Sequence, residues 1–91
     1  MAEPTPQELL EQLRQVPVSD LLLSAMSSAA QLGFARLEPE GRDLAQARLA
    51  IEAVRALVGV LQETLPQETL RGFEQVVADL QLAYASAVST S

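Results

Sequence analysis

The apolar residues between Asp43 and Leu65 keep a strict spacing, and nothing else in the chain constrains the fold as much. Leu44, Ala47, Ile51, Val54, Val58, Leu61 and Leu65 alternate steps of three and four. That is the interval at which side chains return to one face of an α-helix. A second row, Leu49, Ala53, Ala56 and Val60, steps four, three, four along a neighbouring strip. One apolar strip needs one packing partner. Two predict a helix covered on more than one side, a shared wall with one row facing its own bundle and the other a partner. The spacing alone does not assign the rows.

The flanking segments read as three more helices. Thr5-Pro6-Gln7-Glu8 has the form of a helix start, with Thr5 as N-cap, Pro6 in the first position and Glu8 closing a capping box. A short helix follows with Leu9, Leu10 and Leu13 expected inward, ending before Pro17 because the residue before proline avoids the helical region. Two or three turns alone are marginal, so this helix is expected to dock or fray. Pro17-Val18-Ser19 opens the second helix, with Ser19 as cap or Pro17 at the first position. Its row Val18, Leu22, Ala25, Ala29 and Leu32, widened by Leu21, Leu23, Met26, Ala30 and Phe34, predicts burial on most sides. Gly33 or the residues just after it are expected to end it, and Pro39 and Gly41 mark a turn-rich loop. Asp43, with Gln46 three residues on, caps the central helix. Pro66 sits near the start of the last one, whose single apolar face is Leu70, Phe73, Val77, Leu80, Tyr84 and Ala87.

These signals predict an all-α fold: a small antiparallel helical bundle with one short leading helix and three longer helices. Residues 1–16 form the leader and short helix, 17–88 the bundle domain and 89–91 a polar tail, with fraying expected from Ser86. Ninety-one residues make one domain, and a chain so short buries a limited share of its surface, which oligomerisation commonly supplements.

Composition decides mainly against functions. The net charge is −6, the only basic residue type is arginine, and there is no basic cluster. Nucleic acid is therefore a poor direct partner, and anionic lipid equally so. The stretch 18–37 is punctuated by Asp20, Ser24, Ser27, Ser28, Gln31 and Arg36, too polar for a bilayer span. The first residues carry neither a basic nor an apolar signal region, and the chain has no cysteine, which together fit a cytoplasmic protein.

Chemistry has few candidates. With neither His nor Cys, triads built on them and Cys/His zinc sites are excluded. Carboxylates alone remain. Glu38 and Glu40 are read as solubilising loop residues, Asp20 as a helix-dipole partner and Glu52 as an ion-pair partner of Arg48 or Arg55. Asp20 against Glu52 is the pair a carboxylate enzyme or ligand carrier would need, and this reading ranks last. The serines 24, 27 and 28 are read as permitting close helix approach rather than as a modification surface. Gly59 and Gly72, inside helices, fit either close approach or simple tolerance. No cofactor, metal or small-molecule substrate is expected. The interaction candidates are Leu49, Ala53, Ala56, Val60 and Val58 on the central helix, and Leu82, which points away from the apolar face of the last.

The second to fourth helices together resemble a small bacterial family known as domain of unknown function 1844. The resemblance rests on the Ser/Ala-rich helix ending Leu32-Gly33 and on Leu44, Ala47 and Ile51-Glu52. It continues through Leu61-Gln62-Glu63-Thr64, the Leu65-Pro66 turn and Leu80-x-Leu82-x-Tyr84. It spans roughly residues 17–84. Family members often carry a basic segment before the last helix and near its Tyr, whereas this chain has Thr64 to Glu68 and Ala83 to Ala85 there. The resemblance implies a bacterial, cytoplasmic, helical protein and carries over no functional residue. The expected role is therefore non-enzymatic protein–protein contact, as a homodimer through apolar helix faces. A regulatory module for a single different protein partner is the alternative.

Overall fold

A computed structural model describes residues 3–90 of the chain. Four α-helices follow in order: α1 (Pro6–Arg14), α2 (Val18–Ala35), α3 (Leu44–Val60) and α4 (Gln67–Thr90), with a single 3-10 turn, Pro39–Gly41, between α2 and α3. The described residues contain no strand. The all-α bundle expected from the spacing is the fold.

Two helix starts are built as their sequences dictate. The Glu8 N–H donates to Thr5 Oγ1 (3.2 Å) and the Thr5 N–H donates to Glu8 Oε2 (3.4 Å), completing the capping box of α1. At α3 the Gln46 N–H donates to Asp43 Oδ1 at 3.1 Å. The start of α2 differs from expectation. Pro17 occupies the cap position with extended backbone and offers no side-chain bond, so Ser19 falls inside the helix.

α3 packs on both α2 and α4, and these two also meet each other where Gly33 approaches Leu80. Ala29, Leu32 and Arg36 face Ala53, Leu49 and Gln46, so α2 and α3 run antiparallel. Arg55 and Val58 face Val77 and Glu74, while Arg48 and Ile51 face Tyr84 and Gln81, so α3 and α4 do too. Met26, Val54, Leu70 and Leu80 are fully buried at the centre, joined by Ala47, Ile51, Val58 and Leu61. The longer row of α3 is thus the core row. Leu61 and Leu65 keep their places in it, although the helix stops at Val60 and the chain passes through a turn in which the Thr64 and Leu65 N–H groups donate to the Leu61 carbonyl.

α2 ends just after Gly33, at Ala35, as expected, but Gly33 itself lies inside the helix. It is a close-approach residue: a Cβ there would stand 3.1 Å from Ala50 Cβ and 3.2 Å from Leu80 Cδ2. No such crowding surrounds Gly59 or Gly72, where a Cβ would meet nothing within 4 Å. The polar tail expected at 89–91 is also revised. α4 stays helical through Thr90, with Ala87 buried, Ser89 Oγ donating to the Ala85 carbonyl and Arg42 donating to Thr90 Oγ1 at 3.3 Å. The same guanidinium donates to the Leu37 carbonyl at 3.1 Å, tying the α2–α3 loop to the end of α4. Ser91 lies outside the described residues.

Two expectations about burial fail together. Leu9, Leu10 and Leu13 are not inward: every residue of α1 is exposed, Leu13 by 68%. Pro17 holds extended backbone and bars Val16 from helical conformation, so the chain leaves the axis of α1 before α2 begins, and α1 stands clear of the bundle. Nor is α2 buried on most sides. It sinks one strip, Met26, Ala30 and Gly33, and leaves Val18, Leu21 and Leu32 more than 60% exposed. The outcome is an open, slab-like molecule. Its radius of gyration is 16.9 Å, against about 12 Å for a compact domain of this length.

Candidate interaction surface

On α3, positions 49, 53, 56 and 60 project between the α2 side of the helix and its outer side. Leu49 and Val60 are exposed by 62% and 66%, Ala56 is exposed and Ala53 half-buried. The second apolar row is therefore left open. Beside it runs a matching strip on α2: Val18, Leu21, Ala25, Ser28 and Leu32, stepping three, four, three, four, all exposed. Antiparallel packing sets Leu32 next to Leu49 at one end, and places the start of α2 with Leu21 at the Val60 end. Alanines occupy the middle of both strips. The result is an apolar face with a groove of about 230 Å³ at its Leu32/Leu49 end, lined by Ala29, Leu32, Leu49, Ala50 and Ala53 together with Arg36 and Gln46.

The candidates named from sequence divide on this geometry. Leu49, Ala53, Ala56 and Val60 come together on the face. Val58 does not join them, because it sits in the core row at 7% exposure. Leu82 is 71% exposed but stands on the back of α4, two residues from fully buried Leu80. Sequence reasoning missed the α2 half of the face, having assigned those residues to the interior. The excess of apolar rows on α2 over the surfaces that a small bundle offers it was legible and pointed to self-association, but it did not say which α2 residues would be left open.

The area is large for the chain's size. The folded chain exposes 6679 Å², whereas a compact monomer of 9.8 kDa exposes about 5,200 Å². The excess over the whole chain, about 1,500 Å², exceeds the roughly 800 Å² that one partner contributes to a standard interface. The face is nearly free of charge. Glu52 and Arg55 pair at 3.8 Å, each more than half exposed, on the side of α3 that meets α4; such a pair contributes little.

Elsewhere the arrangement offers little for chemistry. Asp20 is exposed in the first turn of α2, while Glu52 lines a shallow groove against α4 with Arg48 and Tyr84, so the two carboxylates do not share a site. Among the described residues no three carboxylates cluster as metal ligands, and no helix is long and apolar enough to cross a membrane. No family model, curated protein or solved structure matches the chain.

Proposed function

We propose that this chain is a non-enzymatic interaction protein that works as a homodimer joined through the α2/α3 face. The single observation behind this reading is the exposed apolar surface of two adjacent helices, in a molecule whose area exceeds that of a compact monomer by about 1,500 Å². Surface of this kind marks contact sites, and a small domain gains much of its missing burial by self-association. The resemblance to domain of unknown function 1844 belongs to the same reading and gives it a bacterial, cytoplasmic setting. The alternative, a module that covers the same face with one different protein, draws on the same exposure.

Co-expressing a tagged and an untagged copy separates the two. The dimer predicts that the untagged copy is recovered on the tag in equal amount. Recovery of a different protein in stoichiometric amount, without the untagged copy, would replace the dimer by the alternative.

A further inference from the structure

The concave face and the detached helix fit one another. The face is hollowed at its Leu32/Leu49 end; two copies pressed together would leave that hollow as a void, and protein interiors do not tolerate voids of that size. The groove, at about 230 Å³, is larger than the roughly 150 Å³ cavity that takes a benzene-sized group. A ridge is needed to fill it, and the chain carries one. Leu9, Leu10 and Leu13 lie along one side of α1 and are 46%, 51% and 68% exposed in their own protomer. Nine residues of helix are marginal alone, yet the capping box gives this one a defined start.

Reach decides whose groove it fills. Three residues join α1 to α2. Folded back along its own α2, α1 carries its leucines about 8 Å at 1.5 Å per residue, and about 18 Å with the three linking residues fully extended. The groove at Ala29 and Leu32 lies 12 to 15 residues from Pro17, about 18–22 Å. The chain's own groove lies at or beyond the limit of that reach, and α1 is exposed along its whole length rather than seated there. In a two-fold dimer with the faces antiparallel, however, the start of the partner's α2 lies beside this protomer's Leu32 and Leu49, and the partner's α1 extends over the groove. Charge agrees: Glu8 and Glu11 lie one turn apart on α1, and Arg36, which lines the groove, has no ion-pair partner among the described residues.

We propose that α1 is an exchanged arm whose leucine ridge seats in the α2/α3 groove of a second copy, reciprocally across the two-fold axis. This rests on the dimer reading above. The chain has no cysteine of its own, so introduced thiols report cleanly. One population carries Leu10→Cys, a second, of different length through a tag, carries Leu49→Cys, and the two are mixed and oxidised. A mixed disulfide dimer is expected, well in excess of that formed when Arg71→Cys on α4 replaces Leu49→Cys. In parallel, Leu10→Glu with Leu13→Glu should keep the helix content and raise the dimer dissociation constant on the order of tenfold or more. A dimer by light scattering that gives no excess of the 10–49 link, or whose dissociation constant is unmoved by the double substitution, overturns the arm and leaves the dimer. A monomeric mass removes both.

Discussion

The two rows of α3 are made of similar residues on one helix and meet opposite fates. Ala47, Ile51, Val54 and Val58 are buried; Leu49, Ala56 and Val60 are in water. Hydrophobicity does not separate them. What separates them is supply: α2 and α4 approach α3 from one side, and each brings only one strip to bury. Two helices that meet each other on one side of α3 cover one of its stripes and leave the next open, so the same apolar content acts as core on one row and, in the proposed dimer, as interface on the other.

That contrast is broken most severely by Val58→Glu. A carboxylate at a site 7% exposed lacks a buried partner and should cost on the order of 4 kcal/mol or more, abolishing cooperative thermal unfolding followed by circular dichroism. Two residues away, Val60→Glu should leave the helical signal intact and act on association instead, raising the dissociation constant on the order of 30- to 100-fold as measured by dilution in light scattering. Unfolding by both substitutions would erase the distinction between the rows.

The same comparison sharpens at the glycines. Gly33→Ala forces a methyl against Ala50 and Leu80 at 3.1–3.2 Å, and the overpacking should outweigh the gain in helix propensity, for a net loss of about 1 kcal/mol. Gly72→Ala meets open space and should add about 0.5–1 kcal/mol; chemical denaturation resolves the opposite signs. The smallest effect belongs to Thr5→Ala. Removing the cap weakens α1 by about 1 kcal/mol, visible as faster amide exchange at Glu8, while the bundle's thermal midpoint stays within about a degree because α1 is not packed on it.

Much of the fold was legible in the sequence because its signals are local. The Thr5/Glu8 box and the Asp43 cap are side chains answering backbone groups three residues away. The three-four rows of α3 and α4 record one face each. What was not legible is which apolar row finds a partner within the chain. Leu9, Leu10 and Leu13 have the spacing of a buried strip, and only the turn at Pro17 shows that the bundle does not receive them. Gly33 resembles a helix end because glycine commonly stops helices; its packing role depends on Ala50 and Leu80, 17 and 47 residues away. The Leu49–Val60 half of the contact face could be named from its row, whereas Val18, Leu21 and Leu32 could not be told from core while α2 was taken to be enclosed.

The central claim, that the open α2/α3 face is a self-association surface, is tested most directly by sedimentation equilibrium of the unmodified chain at tens of micromolar. The prediction is a mass twice the 9.8 kDa of one chain, falling to the single-chain value with Val60→Glu at unchanged helicity. A mass of one chain for the unmodified protein at that concentration would contradict it.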